Sequence, residues 1–269
     1  PLQGFDAPRA DGAPPIHADR PGNHLADGTV IKGDAEAALA ASDIVVACDT
    51  ETGFVEHAYI EPEAGWARRI GNRIEITVST QTPYMDRDEV AQIMGLAPED
   101  IRIGGKLDLS VQPLIALAAW LLDRPVRCTW NRIESMAATS KRHPSRIAAR
   151  YGCDRDGRLT AFDFDGLFNT GAYVSWGLTV KDRVPIHATG PYFVPSVRAL
   201  SHAYFAHETP AGAFRGFGVP QAAIAHDACM DMMAEQCGID PLEFRLRNAI
   251  RKGQETATGQ VLQSAGLDQ

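Results

Sequence analysis

Residues 212–221 (GAFRGFGVPQ) have the composition of a ligand-binding loop, because an arginine and two phenylalanines stand among three glycines. Glycine tolerates positive φ and close backbone approach, so the amides around Phe214 and Arg215 are free to point at a ligand. Arg215 adds a cationic fork. The segment therefore predicts one wall of a binding pocket. The alternative is a tight loop in which Arg215 pairs with a carboxylate and the two phenylalanines fill the core.

These ten residues closely resemble a cofactor-contacting segment of the molybdenum hydroxylases, the xanthine dehydrogenase and aldehyde oxidoreductase family. Other segments resemble landmarks of the molybdopterin-binding subunit in the same order. They are 54–63 (FVEHAYIEPE), 78–81 (VSTQ), 104–106 (GGK), 124–127 (RPVR), 141–144 (KRHP), 169–173 (NTGAY) and 258–260 (TGQ). The resemblance runs from about Gly33 to the C-terminus. It is the ordered set, rather than any one short motif, that makes it specific.

The resemblance implies molybdopterin, the molybdenum cofactor, as the bound group. The cofactor contacts that it implies are Gln81, Gly104, Gly105, Phe214, Arg215 and Gly216. Gln81 would donate to an oxygen on molybdenum, although by itself it could equally be a solvent-facing glutamine at the end of a strand. Phe217 would stack on a planar substrate. Pterin sulfurs hold the metal in this family, so no protein ligand to molybdenum is expected.

Two departures from the family pattern concern activity. Ile103 runs directly into Gly104, whereas the family has a longer glycine-rich loop with a phenylalanine at this point. The glutamate that acts as the catalytic base in the family lies in a Gly-Glu-Pro motif far downstream, and no such motif follows Gln260. We therefore expect no catalytic base in this chain and no activity from the chain alone.

The implied reaction of the complete enzyme is oxidative hydroxylation of an aldehyde or an N-heterocycle. The implied partners are a second molybdopterin-binding lobe, and domains or subunits that carry 2Fe-2S clusters and FAD. The shortened glycine loop motivates an alternative of another class, a cofactor-free scaffold or interaction domain that keeps the fold of the lobe.

Charge and cysteine content exclude several other classes. The net charge of −8 argues against a nucleic-acid partner, because such proteins concentrate positive charge. Five cysteines without a C-x-x-C pair predict reduced thiols and no iron–sulfur cluster in this chain. His57, Glu61 and Glu63 lack a spacing that directs three ligands to one point, so we interpret them as structural rather than as a zinc site.

The apolar segment 109–122 contains Gln112 and Pro113 and is too short to cross a bilayer, so it predicts a buried helix. The N-terminal residues show no secretory signal pattern, and the sequence predicts a cytoplasmic location without a membrane partner.

Residues 1–33 are rich in Pro, Gly, Ala and Asp without periodicity, which predicts an extended connector. Residues 34–269 are expected to form the cofactor-binding lobe. Strands are predicted at 44–52, in a hairpin over 66–79, and at 101–103, 126–130, 147–153, 159–169 and 200–206; helices are predicted at 35–42, 86–95, 110–122, 220–237 and 240–248. Hairpins and helices without regular alternation indicate an α+β fold with mixed sheets, resembling the first molybdopterin-binding lobe of aldehyde oxidoreductases.

Overall fold

The computed structural model of the protein describes residues 14–103 and 109–267. Within them the helices are α1 (Ala35–Ala40), α2 (Pro83–Met94), α3 (Gln112–Leu122), α4 (Arg132–Ala138), α5 (Gly177–His187), α6 (Val219–Cys237) and α7 (Pro241–Asn248). The strands are β1 (His24–Lys32), β2 (Ile44–Thr52), β3 (Ala64–Ile70), β4 (Arg73–Val78), β5 (Ile101–Arg102), β6 (Val126–Thr129), β7 (Ser145–Cys153), β8 (Leu159–Asn169) and β9 (Ser196–Tyr204).

The chain divides into two compact units. The larger unit takes its described residues from Pro1–Val55 and Arg142–Gln269, and the smaller unit is Glu56–Lys141. The division into a connector (1–33) and a cofactor-binding lobe (34–269) stays a prediction.

A mixed five-stranded sheet forms the larger unit, in the order β1-β9-β8-β7-β2. All neighbouring strands are antiparallel except β8 and β9, which are parallel and are joined by a crossover that contains α5. One face of the sheet is apolar, since alternate residues of β8 and β9 such as Phe162, Phe164 and Val197 are fully buried. Helices α5 and α6 pack in this core through Val184 and Met230.

The smaller unit has a four-stranded sheet in the order β5-β4-β3-β6. Gly71, with φ +60°, makes the turn between β3 and β4, within the hairpin predicted over 66–79. Ile74 and Ile76 of β4 are buried against Val90 of α2 and Ile115 of α3. The β3–β4 hairpin and these two helices thus form a separate hydrophobic core.

The α+β prediction with mixed sheets is confirmed, and strand β2 has the predicted bounds. Strand β1 lies within residues 1–33 and was not predicted as a strand; it pairs with β9 along its length. Helices α4 and α5 were not predicted. No helix among the described residues is long and apolar enough to span a bilayer.

Candidate functional site

Residues 212–218, the glycine loop, connect the segment after β9 to the N-terminus of α6. Residues 214–217 form a turn in which the amide of Phe217 donates to the carbonyl oxygen of Phe214 at 2.9 Å. Gly216, Phe217 and Gly218 have φ values of +97°, +47° and +88°. Three consecutive positive φ values are sterically disfavoured for most side chains, so the glycines are needed for the shape of this turn.

Gly216 is required for a second reason. A Cβ atom added to it would lie 2.5 Å from Cδ of Pro220, in the first turn of α6. Because real Cβ atoms do not approach other atoms so closely, the loop can lie against the start of the helix only with glycine here.

Arg142 fixes the glycine loop from a distant part of the sequence. Its guanidinium lies over the ring of Phe214, 3.7 Å from the centroid, and its Nη2 donates to the carbonyl oxygen of Arg215 at 2.9 Å. Its Nη1 donates to Oε1 of Gln221 at 3.4 Å. Burial lowers the pKa of Arg142, but guanidinium remains protonated in proteins. One charged group therefore holds a ring, a loop carbonyl and a helix side chain together.

Gln221 and His143 continue this network. Gln221 is buried, and its Nε2 donates to the carbonyl oxygen of His143 at 2.9 Å. His143 is also buried, and burial, with the positive charge of Arg142, lowers its pKa to about 3. The imidazole is therefore neutral at pH 7. Its Nε2 has no hydrogen-bond partner among the described residues.

The loop retains donors for a ligand. Over residues 14–103 and 109–267, the main-chain amides of Arg215 and Gly216 donate to no protein acceptor. The exposed guanidinium of Arg215 has no carboxylate partner in that same part of the chain. Unpaired amides beside a cation, ahead of a helix N-terminus, suit the negatively charged groups of a cofactor such as molybdopterin. The residues present thus fit that group.

The ring of Phe217 is half-buried and contacts other side chains. Trp176 meets it edge-on, with centroids 5.5 Å apart and an interplanar angle of 72°, and the guanidinium of Arg183 lies 5.9 Å from its centroid. These contacts orient the Phe217 ring. Its stacking on a planar substrate stays a prediction.

Gln81 lies in the smaller unit, on the loop between β4 and α2. Buried Asp86 of α2 fixes this loop, because its carboxylate accepts from the hydroxyl groups of Thr80 at 3.0 Å and Thr82 at 3.4 Å. The amide of Thr82 donates to Oγ1 of Thr80 at 3.0 Å. Gln81 is exposed at the tip, and its side-chain amide has no partner within the described residues. Its role as a hydrogen-bond donor stays a prediction.

A small recess lies beside this loop. It has a volume of about 120 Å³ and is lined by residues that include Glu63, Ser79 and Gln112. Glu63 is buried, and its Oε2 has no partner among the described residues. A buried acceptor without a donor is costly, so this recess is suited to a water molecule or another hydrogen-bond donor.

Phe214, Arg215, Gly216 and Phe217 thus lie on one loop of the larger unit. Gly104 and Gly105 lie outside the described residues. Among the described residues, His57, Glu61 and Glu63 do not form a group that could hold a metal ion.

Sequence reasoning assigned no part in the site to Arg142, Gln221 or Asp86. Gln221 is the last residue of the GAFRGFGVPQ segment, and Asp86 follows Gln81 closely in the sequence. Their closeness to predicted site residues is the sequence feature that could have identified them. Arg142 lies in the KRHP segment, but its contact with Phe214 is not visible in the sequence.

Comparison with known proteins identifies the family. The family model described as the molybdopterin cofactor-binding domain matches residues 16–249. The chain is 41% identical to the nicotinate dehydrogenase large molybdopterin subunit of Eubacterium barkeri, over 87% of this chain and 58% of the relative. It is 33% identical to the xanthine dehydrogenase molybdenum-binding subunit of Escherichia coli O157:H7, over 97% of this chain and 36% of the relative.

Among solved structures, the aldehyde oxidoreductase of Desulfovibrio gigas superposes with a TM-score of 0.89 and 28% identity, over 97% of this chain and 30% of that chain. The chain therefore spans little more than half, or less, of the length of each of these proteins. Since the family model covers both compact units and most of the described residues, the chain belongs to the molybdopterin cofactor-binding domain family.

Proposed function

We propose that this chain forms the first cofactor-binding lobe of a molybdenum hydroxylase that oxidises aldehydes or N-heterocycles. The carrying observation is the glycine loop, in which Arg142 fixes Phe214 and Arg215 while the amides of Arg215 and Gly216 stay unpaired. The relatives are named for nicotinate, xanthine and aldehyde oxidation, which supports this range of substrates.

In this proposal the larger unit binds the anionic part of molybdopterin. The amides of Arg215 and Gly216 donate to it, and the Arg215 guanidinium adds positive charge. Arg142 keeps these donors in place before the cofactor arrives, so binding does not have to order the loop. Phe217, oriented by Trp176, offers a ring to a planar substrate.

Gln81 donates its side-chain amide to the cofactor, and the loop held by Asp86 fixes its position. When bound, the molybdenum centre supplies oxygen transfer and accepts two electrons. A catalytic base and a second lobe come from outside this chain, and 2Fe-2S and FAD partners carry the electrons away. A preorganised hydrogen-bond donor of this kind increases kcat by a factor of about 10²–10³.

The experiment uses the complete protein that carries this chain, purified with its partner subunits. Molybdenum and pterin are measured per mole of protein, together with activity on nicotinate, xanthine and an aldehyde. Wild type should contain both groups and oxidise at least one substrate. Native pterin without molybdenum and without activity would overturn the proposal.

Three variants separate the roles. Arg215→Ala and Arg142→Ala should lose pterin, whereas Gln81→Ala should keep pterin and lose activity. Arg155→Ala is the matched control, because this arginine is exposed and pairs only with Asp43 in the part of the chain that the structure describes. Circular dichroism identifies any variant that is unfolded. If folded Arg215→Ala and Arg142→Ala both retained full pterin, the glycine loop would not bind the cofactor, and the scaffold alternative would gain support.

A further inference from the structure

The five-stranded sheet of the larger unit has a polar face opposite its apolar face. This polar face carries a cluster of histidine and carboxylate side chains, none of which belongs to the glycine loop. His24 and Asp27 of β1 and His202 of β9 each offer a ligand atom, and these atoms all lie within 4.8 Å of one another. We propose that these three residues bind a divalent transition-metal ion of the zinc class, independently of molybdopterin.

A β-bulge brings these residues to one face. In a regular strand, residues 24 and 27 would point to opposite faces, because side chains alternate. Here His24 pairs with Tyr204 while Ala26 pairs with Ala203, so β1 has one extra residue. The register then places Asp27 opposite His202. His24 therefore lies on the same face as Asp27 and His202. In a regular strand, His24 would lie on the opposite face from these two residues.

The distances match a site that needs only small side-chain shifts. Nε2 of His24 is 2.7 Å and Nδ1 of His202 is 2.6 Å from the same atom, Oδ1 of Asp27. Zinc binds imidazole nitrogen and carboxylate oxygen at about 2.0–2.2 Å, which separates neighbouring ligand atoms by roughly 3.3 Å. Each histidine nitrogen must move away from the Asp27 oxygen by less than an ångström to admit the ion. Water can reach a fourth position because all three are partly exposed.

A further carboxylate orients one of the histidines. Asp165 of β8 pairs in register with Leu200, two residues before His202, so it lies on the same face. Its Oδ1 is 3.5 Å from Nε2 of His202. Metal-binding histidines commonly direct their second ring nitrogen to a carboxylate, which fixes the tautomer and increases the basicity of the ligand. His202 has this arrangement, with Nδ1 toward the proposed ion and Nε2 toward Asp165.

The charges in the cluster also suit a cation. Asp27 supplies a carboxylate, and its Oδ1 is the atom that both histidines contact. Lys181 donates to the carbonyl oxygen of Asp27 and is itself paired with Asp182 at 2.6 Å. Two imidazoles and one carboxylate favour zinc over magnesium or calcium, which prefer oxygen ligands.

The test measures zinc in the complete protein after chelation, reloading with one equivalent of Zn²⁺ and gel filtration. Wild type should retain about one zinc ion. His24→Gln and His202→Gln should weaken binding at least 100-fold, and Asp165→Asn should weaken it by about 10–100-fold. His207→Gln, which changes an exposed histidine outside the cluster, is the matched control.

X-ray absorption at the zinc edge identifies the ligands even when iron–sulfur clusters are present. The proposal predicts nitrogen and oxygen scatterers at about 2.0–2.2 Å, whereas cysteine ligation would give sulfur at about 2.3 Å. Sulfur scattering, unchanged zinc content in folded His24→Gln and His202→Gln proteins, or wild-type affinity weaker than millimolar would each overturn the proposal. In those cases the cluster is a hydrogen-bonded charge network without an ion.

Discussion

The guanidinium of Arg142 lies 3.7 Å from the centroid of the Phe214 ring and donates to the carbonyl oxygen of the next residue, Arg215, at 2.9 Å. The shape of the glycine loop thus depends on a side chain that precedes β7. The arginine that fixes the loop is therefore distinct from the arginine, Arg215, that the loop presents.

Replacing Arg142 with lysine should loosen the glycine loop. Lysine keeps the charge but loses the flat surface that stacks on Phe214 and the fork that reaches both Arg215 and Gln221. We expect the local opening free energy to fall by about 1–3 kcal/mol. Hydrogen exchange of the Phe217 amide, which is bonded within the loop turn, should then be roughly 5–150 times faster.

Arg155→Lys is the control for this prediction, since an exposed ion pair contributes only about 0–1 kcal/mol. Equal exchange rates in Arg142→Lys and wild type would mean that the loop holds its shape without the stacked guanidinium.

Gly216→Ala should destabilise the protein more than Gly253→Ala. Both glycines have left-handed φ, +97° and +85°, so both substitutions strain the backbone. Only at Gly216 does the new Cβ collide, with Pro220, whereas nothing lies within 4 Å at Gly253. We expect an extra loss of about 1–3 kcal/mol for Gly216→Ala. Urea unfolding of the two variants side by side measures the difference, and equal losses would rule out the collision.

Local patterns predicted much of the fold. Alternation of side chains predicted the bounds of β2. A helix was also predicted to begin at Asp240, and the Asp240 side chain caps it by accepting from the amides of Leu242 and Glu243 at 2.9 and 3.1 Å. Local sequence also marks the start of helix α4, where Asn131 and Glu134 form a capping box. Strand β1 was not predicted because it depends on pairing with a strand that is distant in the sequence. Strand β1 is stabilised by β9 rather than by its own polar residues.

In the candidate site, too, the local features could be predicted from the sequence and the long-range contacts could not. Glycines and aromatic residues within ten positions identify the loop, because backbone conformation depends on local sequence. The contacts that hold it join Arg142 and His143 to Phe214, Arg215 and Gln221, and a single sequence does not reveal such pairs. The bulge that brings His24 beside Asp27 is likewise a property of strand pairing.

Asp86→Asn should release the loop that carries Gln81. The substitution removes a charged acceptor from the hydroxyl of Thr80 and a negative charge from the first turn of α2, at a cost of about 1.5–3 kcal/mol. The Thr82 amide should exchange at least tenfold faster. Asp88→Asn, at an exposed ion pair with Arg87 on the same helix, should leave that amide unchanged. Slow exchange in Asp86→Asn would show that another contact fixes the loop.

His143 should make stability depend on pH in acid. Its pKa is about 3 when folded and about 6.5 when exposed, so between these values the unfolded chain binds the extra proton. Stability is therefore complete above about pH 6.5 and falls as the pH decreases toward 3, by up to roughly 1.4 kcal/mol per pH unit.

His143→Gln should remove this contribution from the slope, whatever it does to stability at pH 7. Burial also lowers the pKa of His187 and of His226, so wild type should have a steeper slope than His143 alone provides. The comparison is made by urea unfolding between pH 4.5 and 6.5, above the range in which most carboxylates titrate. His207→Gln, an exposed histidine, should keep the wild-type slope. If His143→Gln also kept the wild-type slope, the His143 imidazole would have to be protonated in the folded protein. The interpretation of His143 as a buried neutral ring beside Arg142 would then be wrong.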